Sequence, residues 1–124
     1  MLYDPKWKAR DFKSPSELEI SQPDFRALIK VLNMLDSGSI DKKNFHMNHW
    51  EAPMACGTVR CIGGWAEHLG AKFYKKTAEL NELFYPTGSM RAYNATTEQA
   101  VVALRNYLTT GNADWREVMR TVPK

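Results

Sequence analysis

Cysteine is scarce: Cys56 and Cys61 are the only two in 124 residues, so no disulfide scaffold organises this chain. Long apolar runs are missing as well. The longest wholly apolar stretch is 100–104, whereas a membrane helix needs about 20 residues. The chain opens with charge inside its first four residues and no apolar run behind it, unlike a secretory signal. Both cysteines are therefore expected as thiols in a reducing compartment, and the cytoplasm is the expected location. An excess of one charge sign is lacking too. Seventeen basic residues against fourteen acidic leave +3, too little by itself to imply a nucleic-acid or membrane partner. No internal repeat, low-complexity tract, Walker loop, Gly-x-Gly-x-x-Gly or Gly-x-Ser-x-Gly element occurs.

What is present suits an ordinary globular chain. A 44% hydrophobic, 25% charged composition excludes the disordered and collagen-like classes. At this length a single domain over 1–124 is expected, burying roughly 65–70% of the surface its unfolded chain exposes. Residues 1–20 read as an extended arm pinned by Trp7 and Phe12. The first helix is capped by Ser21, with Pro23 and Asp24 in its first turn and a stop at Ser37-Gly38. Phe25, Leu28, Ile29, Leu32 and Leu35 form its apolar stripe, which leaves Arg26, Lys30 and Asn33 facing water. Thr77 caps a short helix with Leu80, Leu83 and Phe84 inward, ended by Pro86. Thr96-Thr97-Glu98-Gln99 is a capping box. It opens a helix with Ala100, Ala103, Leu104, Tyr107 and Leu108 on one face and a stop at Gly111. Asn112 is read as the cap of a last helix with Trp115, Val118, Met119 and Val122 inward. The expected fold is mainly α: an irregular orthogonal bundle of four to five helices, with a short strand or hairpin near 40–50, where Phe45 and Met47 alternate with polar residues up to Pro53.

The central segment, Cys56-Gly57-Thr58-Val59-Arg60-Cys61-Ile62-Gly63-Gly64-Trp65, is the unusual one. The favoured reading is one helix from Thr58 with Ile62, Trp65, Ala66 and Leu69 inward and Gly70 at its end. The rival is a strand over 59–62 followed by a Gly-Gly turn and a shorter helix. Gly63 and Gly64 inside a helix cost about 2 kcal/mol relative to alanine. A backbone or helix approaching too closely for a Cβ would offset that, which gives Gly63, Gly64 and Trp65 a structural role. Cys56, Cys61, His46, His49 and His68 are the candidate metal ligands, because zinc takes sulfur and imidazole nitrogen in tetrahedral geometry. Two residues five apart on one helix point about 140° away from each other, so both thiolates reach one ion only if Cys56 precedes the helix. Against the zinc site stands the ordinary behaviour of free cysteine as a small buried hydrophobe. A third reading makes Cys56 a nucleophile or redox thiol with His49 or His68 as base. No cofactor is required by any motif.

Charge is unevenly placed. Lys42, Lys43, Arg60, Lys72, Lys75 and Lys76 face only Glu51 and Glu67, whereas 14–41 is acidic. Lys42, Lys43, Lys72, Lys75 and Lys76, with Arg91 and Tyr93, are the candidate interaction surface. Lys72-Phe73-Tyr74-Lys75-Lys76 interleaves bases with aromatics, as nucleic-acid surfaces do. A helix-turn-helix around Gly111 is disfavoured by Asp114, Glu117 and bulky Tyr107, so a nucleic-acid partner is not expected.

The order Phe45-x-Met47, Trp50, Cys56-Gly57-Thr58-x-x-Cys61-x-x-Gly64-Trp65-Ala66, Leu83-Phe84-x-Pro86, Gln99-Ala100 and Thr110-Gly111-x-x-x-Trp115 resembles a group of small bacterial and bacteriophage proteins. The resemblance spans roughly residues 20–120 and carries no activity. Members of that group often have Asp where His46 stands, which argues against His46 as a shared ligand. The resemblance implies a small accessory protein, of phage or prophage origin, that acts by binding. A non-enzymatic, protein-binding module is the leading expectation; a zinc-stabilised domain or a thiol-dependent enzyme centred on Cys56 and Cys61 is the alternative.

Overall fold

The structure is a computed structural model that describes residues 6–50, 52–54 and 57–123. It is mainly α. Helices α1 (Pro15–Leu18), α2 (Gln22–Ser37), α3 (Ile62–His68), α4 (Ala78–Phe84), α5 (Thr97–Thr110) and α6 (Trp115–Thr121) surround one core. Among the described residues one antiparallel pair of strands occurs, β1 (Ala52–Met54) with β2 (Gly57–Val59). No helix among the described residues is long and apolar enough to cross a membrane.

Helix α2 is the central element and packs on both α5 and α3. Its boundaries follow from its caps. The Ser21 hydroxyl accepts the Asp24 N–H, and Gly38 closes the helix at φ 83, where a Cβ would be strained. All five stripe residues are buried. Arg26 and Lys30 face water, but Asn33 does not. The Asn33 side chain accepts the Trp7 N–H at 2.8 Å and donates to the Trp7 carbonyl at 2.9 Å, which satisfies a buried amide and fixes the N-terminal segment on α2. The 1–20 segment is not extended throughout. Ser14 and Glu17 form a capping box around Pro15 and open α1.

Thr77 and Thr96 cap α4 and α5 as their sequences predict, and the Thr96–Gln99 box is closed in both directions. Asn112 does not cap α6. Its side chain accepts the Asp114 N–H one turn earlier, and Asp114 occupies the cap position at φ 56. Tyr107 is fully buried on the core face of α5, yet its hydroxyl has no hydrogen-bond partner in good geometry among the described residues. The neighbouring Thr77 hydroxyl accepts the Leu80 N–H, and burial pushes the Tyr107 phenol up to about 12 against a smaller opposing pull from Thr77. Tyr107→Phe removes a buried polar atom that lacks a well-formed hydrogen bond, so stability should hold or rise by about 1 kcal/mol in urea unfolding. A loss above about 1 kcal/mol would show that the hydroxyl has a partner.

The region around Gly57 departs most from expectation. The helix does not start at Thr58: Gly57–Val59 is strand, with Thr58 opposite Pro53 and Val59 opposite Ala52. The rival reading came closer, but the glycines lie inside α3 and not in a turn. Pro53 sits within β1, because in a two-stranded ladder its missing N–H can face the unpaired side. Phe45 and Met47 do point inward, but 45 forms only an isolated parallel bridge with Arg60. The hairpin thus lies just beyond the 40–50 stretch where it was expected.

Candidate functional site

The segment after the Phe45 bridge carries Trp50 across α3, and this crossing explains the two glycines. A Cβ on Gly63 would overlap the six-membered ring of the Trp50 indole. One on Gly64 would overlap the Trp50 carbonyl oxygen. Backbone and ring together occupy the space two side chains would need. The close approach expected from the sequence is made by Trp50, a residue singled out there only through the resemblance.

Trp50 is the hub of an aromatic cluster. Its ring meets Phe84 edge-on at 5.4 Å and Phe73 edge-on at 6.4 Å, and stacks on Tyr85 at 5.9 Å with planes 16° apart. Its indole N–H donates to Glu67 Oε1 at 2.9 Å. Phe73, at φ 48, is held in that unusual backbone state by buried Asp24, whose carboxylate accepts from the Lys72 N–H at 2.8 Å and the Phe73 N–H at 3.4 Å.

On one side of this cluster opens a cleft of about 510 Å³, lined chiefly by Met47, Trp50, Cys61, Tyr85, Met90 and Tyr93. Only three large hydrophobic side chains are exposed among the described residues: Tyr74 at 91%, Met90 at 68% and Tyr85 at 45%. Two of these three stand on the cleft. Burial raises the Tyr85 phenol pKa, with Cys61 and Glu67 adding to it.

The sequence-derived site residues are dispersed relative to this cleft. Cys56 lies outside the described residues. Cys61 is buried at the cleft floor as the cap of α3, its sulfur accepting the Gly64 N–H at 3.5 Å. Burial pushes its thiol pKa up, against the opposing pull of the Gly64 and Gly63 amides. In a Cys56→Ser variant, Cys61 should therefore react with iodoacetamide at pH 7 at least about tenfold more slowly than a free thiol, and at the free rate once unfolded. Alkylation as fast as a free thiol in the folded protein would favour the reactive-cysteine reading.

His46 and His49 lie with ring centres 5.2 Å apart. The His46 Nδ1 accepts the Asn48 N–H at 3.0 Å, which requires that nitrogen unprotonated. Burial, followed by the charge of His49, lowers the His46 pKa. His68 is exposed and edge-on to Trp65 at 5.7 Å. Among the described residues no three His, Cys, Asp or Glu side chains gather as they would around a metal ion. Trp65 is structural: its indole donates to the Asn44 carbonyl at 3.1 Å under the Arg60 guanidinium.

The five lysines fall into two groups. Lys42 pairs with Glu98 at 3.1 Å, and Lys43 is its neighbour on the same turn; both lie near the C-terminal end of α2. The backbone of Lys72 is tied to Asp24 at the other end of α2, and exposed Lys75 and Lys76 follow it. From Asp24 to Leu35 the helix rises roughly 16 Å, so the two groups do not form a single continuous patch.

Tyr85 and Met90 were not singled out from the sequence, and Trp50 was named there only within the resemblance. A signal for Tyr85 existed, since it lies off the Leu80–Leu83–Phe84 stripe just before Pro86 and had no core position to fill. No family model, curated protein or solved structure matches the chain.

Proposed function

We propose that the protein is a small binding module that captures a partner protein in the Tyr85–Met90 cleft, in the accessory role that the resemblance to phage and prophage proteins implies. One observation carries this reading: among the described residues, two of the three exposed large hydrophobic side chains rim a single cleft floored by Trp50. Leaving Tyr and Met in water forgoes the burial they would gain in a core, and these residues with Trp are the ones enriched at the centres of protein interfaces. Methionine also adapts its shape to a partner at little cost. The rim rests on a rigid base, because Trp50 is wedged against α3 and stacked on Tyr85.

The test compares immobilised wild type with Tyr85→Ser/Met90→Ser and with Lys72→Glu/Lys75→Glu/Lys76→Glu in a bacterial lysate. A protein retained in stoichiometric amount by wild type and by the lysine variant, and lost from the cleft variant, supports the reading. An unchanged set of retained proteins on the cleft variant overturns it. All five substituted positions are exposed, so unaltered thermal unfolding of each variant should confirm that folding is intact.

A further inference from the structure

We propose that the 72–76 loop is a binding surface for single-stranded nucleic acid, with Tyr74 as the platform on which a base stacks. Tyr74 and its lysines do not line the Tyr85 cleft, and the proposal does not rest on the reading given there. The loop is fixed from inside. Buried Asp24 accepts the Lys72 and Phe73 N–H groups, the Phe73 ring packs on Phe84 at 4.9 Å, and Thr77 caps α4 immediately downstream. Phe73 serves the core, and its neighbour Tyr74 does not. The Tyr74 side chain is exposed to 91% and, among the described residues, meets no other ring and no cation. A ring held out on an anchored loop with both faces open suits a planar ligand, and little ordering is left to lose on binding.

The charge around the ring narrows the class. Lys72, Lys75 and Lys76 are exposed, and none has an ion-pair partner among the described residues. Arg26 and Lys30 extend the basic surface. They line one shallow groove with Leu69 and Gly70, just before Lys72, and are likewise exposed and unpaired among the described residues. Of the carboxylates nearby, Asp24 is buried on the loop backbone, Glu67 accepts the Trp50 indole N–H, and Glu79 lies beyond the Thr77 cap in α4. Cations around an open aromatic ring answer a chain of phosphates that carries an unstacked base. In a duplex the bases are stacked on one another, so the ring selects a single strand. An acidic protein segment would satisfy the lysines but give the ring no planar partner.

The test is fluorescence anisotropy of a labelled dodecathymidylate titrated with the full chain. Wild type should bind at about 50 mM salt and weaken roughly 20- to 100-fold by about 200 mM, as roughly three to five phosphate contacts on a single strand require. Tyr74→Ala should bind at least about fivefold more weakly with the same salt slope, and Tyr74→Trp should bind as wild type does. Lys72→Gln/Lys75→Gln/Lys76→Gln should bind more weakly and lower the salt slope by about two. These positions are exposed, so thermal unfolding should be unaltered in each variant. Tyr85→Ser/Met90→Ser should stay within about twofold of wild type, which separates this surface from the cleft. No binding at low salt, equal binding by Tyr74→Ala, or a duplex of the same length bound as tightly would overturn the proposal. So would a chain that ignores the strand but sediments with vesicles of phosphatidylserine and phosphatidylcholine, since the partner would then be a membrane surface.

Discussion

Gly64→Ala should destabilise the protein by about 2 kcal/mol, although alanine is the better helix former. Replacing a helical glycine ordinarily gains about 1 kcal/mol. Here the new methyl would meet the Trp50 carbonyl oxygen, a backbone atom fixed by the chain on either side. Overpacking against atoms that cannot rotate away costs about 1–3 kcal/mol and sometimes more, so the steric term wins. Urea unfolding measures it, and a stability equal to or above wild type would mean that Trp50 does not lie against α3.

Trp50→Ala should cost more, about 3 kcal/mol, at the lower end for a large aromatic because the ring is half-buried. It empties the space between Phe84, Phe73 and Tyr85 and removes the bond to Glu67. Its coupling to the two glycines tests the geometry. Gly63→Ala clashes with the indole ring, which Trp50→Ala deletes, so the double variant should be more stable than the sum of the singles by at least about 1 kcal/mol. Gly64→Ala clashes with a carbonyl that Trp50→Ala leaves in place, and that pair should be close to additive, within about 0.5 kcal/mol. Equal coupling at both glycines would contradict the placement of the ring over Gly63.

The helices were legible because local chemistry marks their ends. Ser21, Thr77 and Thr96 each supply a hydroxyl to a helix N-terminus, and Gly38 and Gly111 take the left-handed backbone that follows one. The apolar stripe at helical spacing then fixes which face turns inward. Ser14-Pro15-Ser16-Glu17 carries the same code, and α1 was readable from it. Where pairing depends on distant residues, this local reading fails. The strand at Gly57–Val59 exists because 52–54 lies opposite it, and three residues are too few to show an alternating pattern. Asn33 looks like a surface residue on a helical wheel and is buried because the Trp7 backbone arrives to bond it.

The candidate site was less legible than the fold for a related reason. A close approach to Gly63 and Gly64 was expected on the one-helix reading, but nothing in the sequence marked it as Trp50 from a segment with no regular structure. The structure leaves Tyr85 and Met90 exposed beside one another on a cleft, and it separates the lysines that charge counting had grouped.

If exposure at the Tyr85 cleft serves a partner, Tyr74 is an internal control. It is exposed to 91%, more than the 45% of Tyr85, yet it does not line the cleft. A photoreactive benzoylphenylalanine placed at position 85 should crosslink to one discrete protein in a bacterial lysate, while the same group at position 74 should not. Crosslinks of equal yield and pattern from both positions, or none from position 85, would contradict a binding role for the Tyr85 cleft.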